Sequence, residues 1–275
     1  MDWYPALQGL ILGIVEGLTE FLPISSTGHL ILAGQMLGFN DERGKLFEVV
    51  IQSGAILAIC WEYRQRLLHF SGNFFLSGQE RNLALNLLIA FIPVAVTGVL
   101  FLGYIKTYLF YAEPVSVAFI VGGLLILWVE RRQIPVKAGE LDDIRWQDAW
   151  KVGLVQCLSL IPGTSRSGAT IIGGLYFGWS RKASTEFSFF LAIPVLLAAS
   201  AYDLFKYRHL LRWEDLGLWG TGFLASFLSA FICVRWLLRF IAQHSFALFA
   251  WYRIVFGVVI LMVTHMGWIT WPVAS

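Results

Sequence analysis

Glu16 and Glu20 stand four residues apart in an otherwise apolar stretch. On a helix that spacing puts both carboxylates on one face, about 5–6 Å apart at Cβ. Carboxylates so close repel unless one is protonated or a cation lies between them. Mg²⁺ or Ca²⁺, held by these oxygens and by substrate phosphate, is one answer; hydrogen bonding to backbone freed by a helix break is the other. The segment that follows, Pro23-Ile24-Ser25-Ser26-Thr27-Gly28-His29, adds three hydroxyls, a flexible glycine and an imidazole. Hydroxyls and backbone N–H groups at a helix start bind anions, and a serine near a histidine can be activated as a nucleophile. Helix capping is the plainer role for Ser25, Ser26 and Thr27.

A second such segment, Pro162-Gly163-Thr164-Ser165-Arg166-Ser167-Gly168, carries a single arginine. Guanidinium is permanently charged and shaped for two-point phosphate contact. Gly163, Ser165, Ser167 and Gly168 form a candidate nest of donors around it, and a salt bridge from Arg166 to Glu16 or Glu20 is the structural alternative. Taken together, an acid pair, a hydroxyl, an imidazole and an arginine are parts for phosphoryl transfer. The candidates are Glu20, Ser26, His29 and Arg166 for catalysis, with Glu16 and Glu20 for a metal. Ser25, Thr27, Gly28, Gly163, Ser165, Arg166, Ser167 and Gly168 are the candidates for substrate binding.

These groups are expensive where they stand. The chain has 275 residues, 57% of them hydrophobic and only 14% charged, against roughly 25% charged in soluble domains. That excludes a free-standing water-soluble enzyme, a disordered chain and a nucleic-acid binder. A net charge of +2 is too small to steer polyanions. Cys60, Cys157 and Cys233 lie singly in apolar runs and read as packing residues. Met1–Pro5 lacks a basic region, so a cleaved signal peptide is not expected.

A hydrocarbon core about 30 Å thick takes about 20 apolar residues per helical crossing. Spans are predicted at Leu46–Trp61, Leu83–Gly103, Pro114–Val129, Ser184–Tyr202, Leu216–Leu237 and Leu248–Trp268. Two further apolar stretches, Pro5–Gly38 and Trp150–Gly178, are interrupted by the polar segments above. Irregular backbone survives at membrane depth only under cover of protein or a polar cavity, so both are expected to be re-entrant helix–loop–helix pairs. A shift of 140 positions lays one stretch on the other, pairing Gly13 with Gly153, Ser25 with Ser165, Gly28 with Gly168 and Gly38 with Gly178. Gln156 then takes the place of Glu16, so the acidic function exists once.

The expectation is an all-α polytopic membrane protein: six transmembrane helices plus two re-entrant pairs, in one domain spanning residues 1–275. Its halves, about 1–135 and 140–275, each hold an odd number of crossings and are therefore inverted repeats. Charge placement agrees. Apart from Arg166, thirteen Lys and Arg, including Arg64, Arg131, Arg181, Arg235 and Arg253, fall on one side. Six fall on the other: Arg43, Lys45, Lys106, Lys206, Arg208 and Arg212. Single crossings of the broken stretches would weaken that bias to eleven against eight. The positive-inside rule therefore favours re-entry, with both termini outside and the first loop entering from the outer face. Tryptophans such as Trp3, Trp146, Trp213, Trp219, Trp268 and Trp271 read as an interfacial belt.

The run Glu16-Gly17-Leu18-Thr19-Glu20-Phe21-Leu22-Pro23-Ile24-Ser25-Ser26-Thr27-Gly28-His29, with the later Pro162–Gly168 segment, closely resembles the bacterial undecaprenyl pyrophosphate phosphatase family, also called bacitracin-resistance proteins. The resemblance covers the whole chain in length, span pattern and motif order. It implies hydrolysis of undecaprenyl diphosphate to the monophosphate and inorganic phosphate, which recycles the lipid carrier for peptidoglycan synthesis. It also implies dependence on Mg²⁺ or Ca²⁺, placement in the bacterial plasma (inner) membrane, and bacitracin tolerance, because bacitracin sequesters the diphosphate. The functional positions it implies are Glu16, Glu20, Ser26, His29 and Arg166. The partners expected are an isoprenoid diphosphate lipid and the bilayer, with no nucleic acid; a homodimer is left open. The competing expectation is a secondary transporter or lipid flippase, in which Arg166 binds an anionic substrate and the carboxylates couple to protons or Na⁺.

Overall fold

The structure, a computed structural model, describes residues 3–39, 42–73, 78–210, 213–268 and 271. Its described elements are helical: α1 (Tyr4–Thr19), α2 (Ser26–Met36), α3 (Glu42–Glu62), α4 (Arg64–Asn73), α5 (Gly78–Leu109), α6 (Ala112–Arg131), α7 (Trp146–Gln156), α8 (Arg166–Tyr176), α9 (Arg181–Tyr207), α10 (Leu216–Ile241) and α11 (Ala247–His265), with short 3₁₀ turns between some of them. Six of these, α3, α5, α6, α9, α10 and α11, are long and apolar enough to cross a membrane. They coincide with the six predicted spans and extend most of them, α5 reaching 32 residues. Their outer faces carry large apolar side chains such as Val99, 88% exposed, and Ile232, 65% exposed. Surface of that kind is suited to lipid rather than water, so the chain is a multi-pass membrane protein.

The two interrupted stretches form helix pairs of another kind. α1 has 16 residues, and α2, α7 and α8 have 11 each; at about 1.5 Å per residue none spans a hydrocarbon core. Each pair folds back on itself. Tyr4 Oη and Gln8 Nε2 at the start of α1 both donate to Leu37 O just past the end of α2, at 3.2 and 2.9 Å. The approach to α7 meets the exit of α8 in the same way: Lys137 N donates to Gly178 O at 2.6 Å and Ser180 N to Ala138 O at 2.8 Å.

Close packing sets each pair in place. α1 lies along α10, and α7 along α5. Gly9, Gly13 and Gly17 form one stripe of α1, and a Cβ on any of them would meet α10 at 2.7, 2.3 or 2.1 Å. Small residues at four-residue spacing allow such contact between membrane helices, and the stripe holds Glu16 and Glu20 at a fixed depth. Between the tips sits an apolar cluster containing Phe21, Ile24, Ile171 and Phe189, with Phe21 and Phe189 edge to face at 5.5 Å.

Ion pairs gather at one end of the bundle. Arg66–Asp142, Arg181–Glu130, Lys182–Glu140 and Arg235–Glu62 tie together the ends of α3, α6 and α10, the starts of α4 and α9, and the connection before α7. One residue assigned to that edge belongs elsewhere. Arg253 lies seven positions into α11, 1% exposed, among the two loop tips. Removing it leaves twelve positive residues against six, so the charge bias persists. The side chains of Arg43 and Trp213, and all of Arg212, lie outside the described residues. Cys60, Cys157 and Cys233 are unpaired thiols, as packing residues should be.

Candidate active site

Pro23 lies in the break after α1, and Pro162 and Gly163 lie in the break after α7; the chain re-enters helix at Ser26 and at Arg166. The residue before each restart is strained. Ser25 has φ 72° and ψ 100°, Ser165 has φ 73° and ψ 117°, and among the described residues these are the non-glycine positions with positive φ. Such a conformation costs of order 1–3 kcal/mol per residue and persists where the surroundings over-determine it. The two serines are also partners in the 140-residue register, so both loops make the same turn and present the first residue of the next helix: Ser26 in one, Arg166 in the other.

Those two residues meet on Glu20. Ser26 Oγ donates to Glu20 Oε2 at 2.5 Å, and Arg166 Nη2 donates to Glu20 Oε1 at 3.0 Å. The ion pair is almost dry, with the Arg166 side chain 9% and the Glu20 side chain 6% exposed. Arg166 Nη1 donates to Ser188 O at 2.8 Å and reaches Ser188 Oγ at 3.3 Å, while its Nε is buried without a partner. The carboxylate therefore holds a hydroxyl and a guanidinium that lie 140 positions apart in sequence. Of the two alternatives for Arg166, the salt bridge is present and leaves a donor in reserve.

Glu16 is 1% exposed, and its Oε2 has no hydrogen-bond partner. Among the described residues no group of three or more His, Cys, Asp or Glu side chains is arranged to hold a metal. What exists is a carboxylate pair with one orphaned oxygen. That set fits a hard cation taking one or two protein carboxylates and filling its remaining positions with substrate phosphate and water. It does not fit an all-protein cage.

The remaining candidates divide. Ser165 caps α8, its Oγ accepting from Gly168 N at 3.0 Å and contacting Ser167 Oγ at 3.1 Å. Ser167 Oγ in turn donates to Leu22 O at 2.7 Å, joining the loops directly. Both hydroxyls are engaged within the protein. Ser25 makes no side-chain cap. Gly28 is pressed on Phe119, where a Cβ would fall 2.3 Å from the ring, and Gly163 takes φ 91°. Ser26 is half-buried and Thr27 exposed, so these hydroxyls stay accessible.

His29 points away from the acid pair. Its Nδ1 lies 2.7 Å from Ser25 O; a carbonyl only accepts, so Nδ1 carries the proton and Nε2 accepts from Tyr252 O–H at 2.6 Å. The ring stacks on Phe256, centroids 4.3 Å apart, with Tyr252 beside it. Among the described residues no hydrogen bond joins His29 to Ser26 or Glu20, so the partner of Ser26 is Glu20 and not the imidazole three residues along.

Sequence reasoning passed over Tyr252, Ser188 and above all Arg253. The available signal for Arg253 was its setting: a charge with seven apolar or aromatic neighbours before it and three after, well inside a span, is by default functional.

Six apolar spans around a buried acid–hydroxyl–guanidinium cluster, at which the helices begun by Ser26 and Arg166 meet, define an integral membrane protein with a polar site enclosed in its bundle. Comparison with known proteins agrees. The chain belongs to the bacitracin resistance protein BacA family, whose sequence profile matches residues 9–259. Its relatives include an undecaprenyl-diphosphatase of Nitrosospira multiformis, 60% identical over 271 residues covering 98% of this chain and 99% of the relative. One from Nitrosomonas europaea is 57% identical over 99% of this chain and 100% of the relative. Another, from Methylococcus capsulatus, is 59% identical over 98% of each.

Proposed function

We propose that this chain is an undecaprenyl-diphosphatase, hydrolysing undecaprenyl diphosphate to the monophosphate and inorganic phosphate and so recycling the carrier lipid for cell-wall synthesis and conferring bacitracin resistance. The observation that carries the reading is the Glu20 carboxylate gripping Ser26 at 2.5 Å and Arg166 at 3.0 Å. Transport needs an anion site but no paired hydroxyl and base, and the named relatives are phosphatases, so the transporter or flippase reading is not favoured.

In the proposed reaction the terminal phosphate lies at the start of α2 and α8, against Arg166, Thr27 and the free N–H groups of both helices. Ser26 Oγ attacks the terminal phosphorus. Its O–P bond forms as the P–O bond to the lipid monophosphate breaks, and its proton passes to Glu20 Oε2. Water then cleaves the phosphoserine, releasing inorganic phosphate and restoring the serine. Arg166 offsets charge on the equatorial oxygens. His29 anchors the first turn of α2 through Ser25 O. Glu16 and Glu20 are the residues that would hold Mg²⁺ or Ca²⁺, which when bound supplies charge neutralisation on the diphosphate oxygens.

We place the protein in the bacterial inner membrane, with two re-entrant pairs, inverted repeats, both termini outside and the site opening outward. The fold-back of α1 on α2 and of α7 on α8, the matched strain at Ser25 and Ser165, and the ion pairs gathered at one end support this reading. The test of the chemistry is a rapid acid quench with terminally labelled isoprenyl diphosphate. Label on Ser26 supports covalent catalysis, and full activity in Ser26→Ala overturns it.

A further inference from the structure

We propose that Arg253 is a positioning residue of this site, setting Ser26 on one loop against Arg166 on the other without touching substrate; the inference rests on the reading of the two loops as one phosphatase site. A guanidinium has five N–H donors, and Arg253 spends all five on main-chain carbonyls of three separate segments. Nη1 donates to Pro23 O at 3.1 Å and Thr164 O at 2.9 Å, and Nη2 to Gly163 O at 2.9 Å and Ala118 O at 3.0 Å. Nε reaches Phe119 O at 3.3 Å. Pro23 belongs to the loop of Ser26, Gly163 and Thr164 to the loop of Arg166, and the other two carbonyls to α6. One planar group is thus common to both loops and the helix behind them.

Three features make this a device for alignment. The carbonyls it holds flank the strained residues: Thr164 immediately precedes Ser165, and Pro23 comes two before Ser25. Strained backbone persists where its surroundings fix it, and Arg253 fixes both turns at once. Second, among the described residues no carboxylate lies within ion-pair distance, so it is not one half of a salt bridge. Third, α6 is cleared for it: a Cβ on Gly122 would fall 2.1 Å from Nη2. Lysine cannot substitute, since one ammonium with three donors cannot reach carbonyls spread across three segments.

A misplacement of 1 Å between reacting groups can cost about a hundredfold in rate. The test compares Arg253→Lys and Gly122→Ala, the latter keeping the charge while displacing its head, against wild type in detergent. The readouts are kcat and KM for an isoprenyl diphosphate per folded, monodisperse protein. The expected result is kcat lower by roughly 10–100-fold, or about 1.4–2.8 kcal/mol, with KM within about threefold in both variants. If only one variant folds, that one decides. Wild-type kcat in the folded fraction of either variant overturns the inference, as does failure of both to fold, which would assign Arg253 to assembly alone. An inactive wild type would instead refute the phosphatase reading, so the two failures are distinguishable.

Discussion

The Glu20–Arg166 pair is the link between the two loops whose energy is most open to measurement. In Glu20→Gln the amide keeps one acceptor, which can serve Ser26 or Arg166, while its NH₂ faces the other donor. In Arg166→Met the bonds to Ser188 O and Glu20 are lost, and a carboxylate whose side chain is 6% exposed is left without its cation. Breaking one partner of a buried pair costs about 3–5 kcal/mol, mostly because the other is stranded. Two independent losses of that size would sum to about 6–10 kcal/mol. Because both variants break the same contact, the double variant strands nothing and should cost about as much as either single, a coupling of about 3–5 kcal/mol. The assay is thermal unfolding of the four purified proteins in one detergent, followed by tryptophan fluorescence. At roughly 2–4 °C per kcal/mol, each single variant should lower the midpoint by about 6–20 °C, and the double by no more than the worse single. Additive losses, within about 0.5 kcal/mol, would refute the claim that this pair joins the loops.

Further outcomes follow from the packing and from the proposed placement. Gly17→Leu should prevent α1 from seating on α10, since even a Cβ would fall 2.1 Å from Ser229 Oγ; the expected loss of about 1–3 kcal/mol or more is read as a lower melting midpoint, with activity falling in parallel. Tyr252→Phe removes the hydroxyl that His29 Nε2 accepts, leaving Glu20 and Ser26 untouched; kcat should stay within about tenfold of wild type, below the effect of losing a general base, and a larger loss would return the proton to His29. With Cys60, Cys157 and Cys233 replaced, a cysteine at Trp3 should react with a membrane-impermeant maleimide from outside intact cells and one at Lys137 should not; the reverse pattern would overturn the proposed orientation.

Much of this was readable in the residues. Length and hydropathy alone placed the six spans, because a crossing must satisfy its backbone internally over a fixed thickness. Pro23, and Pro162 with Gly163, marked where two helices break. Pairing across the breaks was readable only in part: a salt bridge from Arg166 to Glu16 or Glu20 was one of the alternatives, whereas the bond from Ser26 to Glu20 was not foreseen. Ser26 to His29 is one helical turn on paper, yet the helix begins at Ser26, and the turn at Ser25 carries its hydroxyl back to Glu20 while His29 rotates towards α11. Arg253 was misplaced because a charge count uses position along the chain, and seven residues into α11 looked close enough to the membrane edge. Its partners are carbonyls, which any residue supplies and no sequence pattern advertises.

The central claim, that Glu20, Ser26 and Arg166 form a phosphatase site, is tested most directly by phosphate release from undecaprenyl diphosphate. The purified wild type is compared with Glu20→Gln, with Mg²⁺ or Ca²⁺ and with EDTA. Release by the wild type, abolished by EDTA and reduced about 10²–10⁴-fold in Glu20→Gln, is the predicted result. No release by the wild type, or an undiminished rate in Glu20→Gln, would contradict it.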